Sequence, residues 1–202
     1  RPTRSNDQGG AFVYFNGDTG FADLADQIRW GDVPDGSGGW EGVTSMRFGT
    51  ELASGDVNGD GVCDLIVGAH EWDQSINTND GLVMVFAGGT MGLSERPVLA
   101  WANDDAGDRG GQFGRRIAVG DLDIDGKDDI AISNFGFDNG SSDQHGAIRV
   151  YRGRDFAGPV AALASYAPAD FQYLNPQSFD WFGFAPAIGD VTGDGVPDLV
   201  TG

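Results

Sequence analysis

The sequence of 202 residues is poor in several residue types on which common protein classes depend. It has one lysine, four glutamates against 27 aspartates, two histidines and one cysteine. Lysine and glutamate usually fill exposed helix faces, so their scarcity beside abundant aspartate and glycine disfavours a helix-rich fold. The single cysteine, Cys63, excludes an internal disulfide bond. No apolar run approaches the roughly 18 residues of a membrane-spanning helix, and we expect no membrane span in this chain.

Positive charge is also scarce. Twelve Lys and Arg residues stand against 31 Asp and Glu residues, which gives a formal net charge of −19. This balance repels polyanions and excludes nucleic acid as a partner. The apolar fraction of 40% is nevertheless enough for a real core and disfavours disorder. The chain begins at Arg1 without a methionine or a signal-peptide pattern, so we expect a processed chain or a segment of a longer protein.

Three segments of the sequence align without gaps. They begin at Phe48, Phe113 and Phe182, and each has a Phe-Gly pair ahead of a D-x-[DNT]-x-D-G-x-x-D loop. An apolar run follows each loop directly, which indicates a strand. Because all three copies share the loop and its flanks, they are internal repeats.

Further β-rich segments recur between these copies. Short runs of β-branched and aromatic residues, which indicate a third strand in each unit, follow Gly9, Gly81 and Gly146. A fourth strand is predicted in ADQIRW, PVLAWA and PVAALASY. These segments end near Trp30, Trp101 and Tyr166. Four short strands per repeat are typical of a β-propeller blade, and the alternative, a β-sandwich, would not repeat its sequence three times.

The predicted fold class is therefore all-β, with propeller blades of four antiparallel strands and about three blades in a single region, residues 1–202. Residues 1–47 supply strands 3 and 4 of one half-blade, residues 48–112 and 113–181 form two blades, and residues 182–202 supply strands 1 and 2 of another half-blade. The half-blades are complementary and leave unpaired strand edges. We expect either a segment of a longer propeller or self-association through half-blades, in a closed ring or a filament.

The three loops are predicted to bind calcium. Positions 1, 3 and 5 place side-chain oxygens inside a tight turn, position 6 is a glycine with positive φ, position 7 offers a carbonyl, and position 9 adds a carboxylate. Ca²⁺ accepts roughly six to eight oxygens in flexible geometry and fits better than Mg²⁺. The predicted ligands are Asp56, Asn58, Asp60, Val62 and Asp64; Asp121, Asp123, Asp125, Lys127 and Asp129; and Asp190, Thr192, Asp194, Val196 and Asp198.

The loops differ in their number of carboxylates. The second loop has four and is expected to bind calcium most tightly, whereas Thr192 makes the third the weakest. Plain Asp-Gly turns would not require acidic residues at positions 1, 5 and 9 in every copy. An EF-hand is excluded because position 12, at Val67, Ile132 and Thr201, is not acidic and lies in a strand-like run.

These features resemble the FG-GAP repeat of integrin alpha-subunit β-propellers and of related bacterial and archaeal surface proteins. The resemblance rests on Phe48-Gly49, the loop that opens at Asp56, and the run from Asp64 to Ala69. Ser133-Asn134 and Thr192 depart from the pattern. The resemblance implies an extracellular or cell-surface protein with its calcium loops on one face and its partners on the opposite face.

The face opposite the calcium loops would bind a protein or a glycan. It would comprise the strand 2–3 loops (69–80 and 134–145) and the strand 4–1 loops (31–42, 103–112 and 167–181). The aromatic residues of these loops suit recognition, unless they fold back onto the blades. They include Trp72, Phe135, Phe137, Phe171 and Tyr173. The predicted function is adhesion or recognition; the alternatives are a structural subunit of an extracellular filament or surface layer and an accessory domain of a secreted enzyme.

Residues that could support catalysis are few. His70 and His145 lie out of register in predicted loops and are interpreted as solvated, and Cys63 is interpreted as a small apolar filler. The sequence contains no G-x-S-x-G, H-E-x-x-H or phosphate-binding glycine loop. We therefore expect no enzymatic activity in this chain.

Overall fold

The computed structural model describes residues 9–17, 20–21, 23–34, 37, 39–43, 45–73, 79–103, 110–137, 145–160, 169–174 and 181–202, and the backbone of residues 164–165. The described residues form strands and turns, and none of them belongs to a helix long and apolar enough to cross a membrane. The strands are β1 (Gly10–Val13), β2 (Asn16–Gly17), β3 (Gly20–Phe21), β4 (Gln27–Trp30), β5 (Asp32–Pro34), β6 (Trp40–Gly42), β7 (Glu51–Gly55), β8 (Asp64–Ala69), β9 (Leu82–Phe86), β10 (Leu99–Ala102), β11 (Ile117–Gly120), β12 (Asp129–Asn134), β13 (Ala147–Tyr151), β14 (Ala164–Ser165), β15 (Phe171–Leu174), β16 (Ala187–Gly189) and β17 (Asp198–Val200).

Two antiparallel sheets form the centre of the chain. The first blade has the strand order β7, β8, β9, β10, and the second blade has the order β11, β12, β13, β15. The first half-blade pairs β1 with β4, and the last half-blade pairs β16 with β17. The all-β fold with propeller blades is thus confirmed, whereas the residue boundaries between units remain predictions.

The fourth strand of the second blade differs from the prediction. It is β15, whose Leu174 lies opposite Ala147 of β13. The segment expected there is held by the first blade instead, because the Val160 N–H donates to the Pro97 carbonyl at 2.9 Å and β14 runs parallel to β10. Tyr166 lies outside the described residues. Two short hairpins, β2 with β3 and β5 with β6, are additions that the sequence did not predict.

The core lies between neighbouring sheets. Alternate residues of β9 face opposite sides, as the two-residue period of a strand requires. Leu82, Met84 and Phe86 pack towards the first half-blade, while Val83 and Val85 pack towards the second blade. A third cluster joins the second blade to the last half-blade. The innermost strands β7, β11 and β16 lie side by side.

A glycine before each third strand joins one unit to the next. Gly81 forms a parallel bridge with Phe113 of the following unit, and its φ is +89°. A Cβ atom at Gly81 would lie 2.2 Å from the Phe113 carbonyl oxygen. The same bridge recurs as Gly9 with Phe48 and Gly146 with Phe182. The recurrence of this glycine and of the Phe-Gly pair in the sequence therefore reflects one repeated joint between units.

Candidate functional site

Each candidate calcium loop connects the first and second strands of a unit. The loops lie between β7 and β8, between β11 and β12, and between β16 and β17. Since the innermost strands lie side by side, the three loops share one end of the blades. The position-6 glycines, Gly61, Gly126 and Gly195, have φ values of +86°, +88° and +87°, as the loop pattern predicts.

The aspartate at position 1 organises each loop. In the second loop, Asp121 Oδ1 accepts the Asp125 N–H at 3.0 Å and Asp121 Oδ2 accepts the Gly126 N–H at 2.9 Å. Asp56 and Asp190 accept the corresponding amides of their own loops. The pKa of Asp190 is lowered, chiefly because its carboxylate accepts a hydrogen bond from the Gly195 N–H. These bonds curl the backbone around the carboxylate at position 1.

The second loop brings three carboxylates together. One ligand oxygen each from Asp121, Asp123 and Asp125 lies within 4.8 Å of the others. Asp121 is half-buried and the other two are exposed, so an ion could enter from solvent. Hard oxygen donors of this type are the ligands that Ca²⁺ prefers. The donor set of the second loop therefore fits a calcium ion.

The other loops pair an acid with a neutral side chain. In the first loop, Asn58 Nδ2 donates to Asp60 Oδ2 at 2.9 Å. In the third, Thr192 Oγ1 lies 3.5 Å from Asp190 Oδ1. At position 7, the N–H groups of Val62, Lys127 and Val196 each donate to the position-5 aspartate at 2.9 Å. Calcium ligation by all three loops and its order of affinity stay predictions.

The aspartate at position 9 fastens the loop to the rest of its blade. Asp64 Oδ2 accepts the Val57 N–H at 3.0 Å and Asp64 Oδ1 accepts the Gly88 N–H at 2.8 Å. Asp129 does the same with Leu122 and Gly153, at 3.0 and 2.9 Å. Burial raises the pKa of both carboxyls. In the third loop, Asp198 accepts the N–H groups of Val191 and Thr192.

Loops of neighbouring blades also contact each other, which the sequence did not indicate. Asp128, at position 8 of the second loop, donates its N–H to the Asp56 carbonyl at 2.8 Å and accepts the Asp56 N–H on Oδ2 at 2.8 Å. The Arg154 N–H donates to the Val57 carbonyl at 2.9 Å. The equivalent position is Cys63 in the first loop and Pro197 in the third, so repetition could not reveal this link.

A cation lies beside the carboxylate cluster. Arg152 Nε is 3.1 Å from Asp123 Oδ2, and the guanidinium lies over the Phe171 ring. A calcium ion bound through Asp123 would compete with this ion pair. The expectation that the second loop binds calcium most tightly rests on its number of carboxylates and does not take the charge of Arg152 into account.

Replacing Arg152 with glutamine is expected to tighten calcium binding at the second loop by up to about fivefold. An exposed ion pair contributes up to about 1 kcal/mol, and the ion would no longer have to displace it. Calorimetric titration with Ca²⁺ measures the change. Arg154→Gln is the matched control, since Arg154 pairs with Asp170 at 2.7 Å, outside the loop. Unchanged or weaker affinity in Arg152→Gln would contradict the expectation.

The structure corrects three interpretations of single residues. His70 and His145 are buried, with 9% and 8% of their surfaces exposed, so they are not solvated loop histidines. His70 Nδ1 lies 3.0 Å from Thr50 Oγ1. Cys63 is exposed and does not fill an apolar space. Burial of the histidines depends on packing between distant segments, which local sequence does not report.

The loop aromatics divide into two groups. Trp72, Phe135 and Phe137 are buried and fold back onto the blades. Phe171 and Tyr173 are exposed but belong to β15, so they are strand residues and not loop residues. Parts of the predicted partner loops, at 35–36, 38, 74–78, 104–109, 138–144, 167–168 and 175–180, lie outside the described residues.

The sheets and their loops define a β-propeller segment with acidic loops between its first and second strands. Residues 48–86 and 113–151 match the FG-GAP repeat. The chain therefore contains two FG-GAP repeats, each spanning the first three strands of one blade.

Similarity to known proteins covers most of the chain. It is 30% identical to Integrin alpha-4 of Xenopus laevis over 161 residues and 32% identical to Integrin alpha-5 of Xenopus laevis over 164 residues. Each match covers 77% of this chain and 14% of the integrin. It is 29% identical to Phosphatidylinositol-glycan-specific phospholipase D of Homo sapiens over 163 residues, which is 77% of this chain and 18% of that protein. The chain thus spans less than a fifth of the length of these relatives.

Proposed function

We propose that this chain is a calcium-binding propeller segment of an extracellular or cell-surface protein, and that it recognises a protein or glycan partner. The observation that carries the proposal is the cluster of Asp121, Asp123 and Asp125 oxygens at one end of the blades. Similarity to integrin alpha chains supports adhesion or recognition as the role. Millimolar calcium outside cells would fill even loops of the weak extracellular class, with Kd of about 10⁻⁴–10⁻³ M.

Calcium in this proposal is structural. When bound, it neutralises the loop carboxylates, whose mutual repulsion otherwise opposes the fold. The chain itself supplies the frame: Asp121 accepts the amides of Asp125 and Gly126, and Asp129 holds the loop to Gly153, just after β13. The opposite end of each blade then presents a fixed surface to a partner. No catalytic role is proposed for this chain.

Removing calcium is expected to lower the melting temperature by about 10 °C. At free calcium of about ten times Kd, each site contributes about 1.4 kcal/mol through RT ln(1 + [L]/Kd), or about 4 kcal/mol for three sites. A chain of this size shifts by about 2–4 °C per kcal/mol. Thermal unfolding in 2 mM Ca²⁺ and in excess EGTA, followed by circular dichroism, measures the difference, where 2 mM is an order-of-magnitude extracellular level.

Two variants test whether the second loop holds one of these ions. Asp123→Ser is expected to lose part of the calcium-dependent shift, because it removes a member of the carboxylate cluster. Asp155→Ser is the control, since Asp155 is exposed, lies outside the loop and, among the described residues, pairs with Lys127 Nζ at 2.8 Å. A melting curve that is identical in calcium and EGTA would remove the calcium proposal.

A second candidate function is an accessory domain of a secreted enzyme. The similarity to phosphatidylinositol-glycan-specific phospholipase D favours it. Recognition and accessory roles are compatible with the same binding surface. Self-association through half-blades stays a prediction, and light scattering of the purified protein over a concentration series tests it: a monomer at every concentration would exclude a filament.

A further inference from the structure

Three arginines gather at the end of the blades opposite the calcium loops. Arg47 precedes β7, and Arg115 and Arg116 precede β11. The calcium loops follow these two strands, so the arginines lie at the other end. His70, which follows β8, lies among them: burial lowers its pKa, and the charges of Arg115, Arg47 and Arg116 lower it further against the opposing effect of Glu71.

Two of the three arginines are ion-paired. Arg47 Nε lies 2.7 Å from Glu71 Oε2, and Arg116 Nη1 lies 3.2 Å from Glu51 Oε2. Arg115 differs, because its described polar partner is a neutral amide: its Nη1 donates to Gln112 Oε1. Among the residues that the structure describes, no carboxylate pairs with Arg115. A guanidinium carries five N–H donors, and Gln112 is the polar partner that the described part of the chain gives to Arg115.

Aromatic rings hold the Arg115 guanidinium in place. Its Cζ lies 5.3 Å from the centre of the Phe135 ring and 5.7 Å from the centre of the Phe184 ring. Phe135 also packs edge-on against Trp181, with ring centres 6.1 Å apart. Trp181 is 53% exposed and Arg115 is half-buried. The Phe135 ring thus contacts both a restrained cation and an exposed indole, and Phe184 of the next unit packs against the same cation.

Backbone strain recurs at the positions that build this surface. The residue before each Phe-Gly pair has a left-handed backbone although it is not glycine. These residues are Arg47, Gln112 and Trp181, with φ of 51°, 50° and 51°. Such conformations are uncommon for non-glycine residues and cluster at ligand-binding positions. In this surface the left-handed conformation orients Gln112, which accepts a hydrogen bond from Arg115, and Trp181. The two residues occupy equivalent positions in adjacent units.

We propose that Arg115 and Trp181 form a docking site for an acidic side chain, Asp or Glu, of a protein partner. The inference rests on the proposed recognition function and names the chemistry of the partner. A planar guanidinium matches a carboxylate through two parallel hydrogen bonds. Tryptophan and arginine are also the residues most enriched at the energetic centres of protein interfaces.

Charge contrast favours an acidic group at this position. The chain as a whole has a formal net charge of −19, so an acidic segment is repelled by most of its surface. At this end Arg47 and Arg116 are paired with Glu71 and Glu51, and Arg115 adds a positive charge that no described carboxylate pairs with. Because Phe135 and Phe184 already restrict Arg115, little side-chain entropy remains to be lost on binding.

Titration with a short peptide tests the site. The probe is acetyl-Gly-Asp-Leu-Gly-amide, and its control is the same peptide with Asn in place of Asp. Nuclear magnetic resonance follows the Trp181 indole N–H and the Arg115 Nε–H. We expect saturable shifts of both signals with the Asp peptide and at least tenfold weaker binding of the Asn peptide, because the latter lacks the charge.

Variants separate docking from structure. Arg115→Gln is expected to weaken Asp-peptide binding at least tenfold, and Arg115→Lys to weaken it similarly because lysine lacks the planar fork. Arg96→Gln is the matched control: Arg96 lies 4.6 Å over the Trp40 ring and 3.4 Å from Asp32, away from this surface. Circular dichroism verifies folding, and if Arg115→Gln does not fold, Arg115→Lys decides.

Several outcomes would overturn the inference. They are equal binding of both peptides, binding unaffected by Arg115→Lys, or binding of glucuronate without binding of the peptide, which would assign the surface to acidic glycans. A second experiment separates failure of the docking site from failure of the proposed function. Arrays of extracellular proteins and glycans are probed with the wild type and with Arg115→Gln in the presence of calcium. A partner held equally by wild type and Arg115→Gln overturns only the docking site, whereas wild type that holds no partner overturns the recognition function as well.

Discussion

Replacing Gly81 with alanine is expected to destabilise the fold by about 2–4 kcal/mol. Left-handed backbone costs a non-glycine residue about 1–2 kcal/mol, and φ at Gly81 is +89°. The new Cβ would in addition lie 2.2 Å from the Phe113 carbonyl oxygen and 2.7 Å from its nitrogen. Both atoms belong to backbone and cannot rotate away, so the bridge between the two blades must open.

Denaturant unfolding of Gly81→Ala and of the wild type measures this effect. Gly158→Ala is the control, because Gly158 has φ of +107° and its Cβ would meet nothing within 4 Å. It reports the cost of the backbone conformation alone, and the excess in Gly81→Ala reports the joint between blades. Equal losses in the two variants would show that close approach at Phe113 contributes nothing.

Replacing Asp129 with alanine is expected to cost about 2–4 kcal/mol even when calcium is absent. The carboxylate is buried, and it accepts the N–H groups of Leu122 and Gly153. A hydrogen bond to a charged group contributes about 1.5–3 kcal/mol, and its loss leaves both amides without this acceptor. Burial of the carboxyl, which raises its pKa, offsets part of this contribution.

The comparison with Asp125→Ala separates the frame of the loop from its ion. Asp125 is exposed and accepts the Lys127 N–H at 2.9 Å. In excess EGTA, Asp125→Ala is expected to change the free energy of unfolding by less than about 1 kcal/mol, whereas in calcium it loses the contribution of one ion. Unfolding of both variants and of the wild type in each buffer gives the six values required. An Asp129→Ala variant as stable as wild type in EGTA would contradict a framing role.

Repetition made most of the fold predictable. Each Phe-Gly pair, the loop after it and the flanking strands are local features, and their spacing survives in all units. The prediction of the fourth strand of the second blade was wrong, because residues 159–166 and residues 171–174 are both apolar enough to form a strand. The choice between them depends on pairing: β15 pairs with β13, whereas the earlier segment pairs with β10. Short strands of similar composition give no local signal for such a choice.

The candidate site was predictable only within each loop. The left-handed glycines and the clustered aspartates of the second loop follow from the loop pattern itself. Arg152, Asp128 and the Arg115 surface do not, because each acts on residues contributed by another strand or another unit. Arg115, for example, contacts Phe135 and Phe184, which are far apart in sequence and belong to neighbouring units. These residues occur in one copy of the repeat only, so a comparison of the copies gives no signal for them.

The location of the apolar clusters determines what unfolds as a unit. Met84 packs against the sheet before its own and Val83 against the sheet after it, so a blade taken alone has no core. Stability is then a property of each pair of adjacent blades, as in linear repeat arrays where nearest-neighbour interfaces dominate. The smallest cooperative element is therefore a pair of adjacent blades joined by one glycine–phenylalanine bridge. Each blade added to the array contributes one further bridge, always from the glycine of one unit to the phenylalanine of the next.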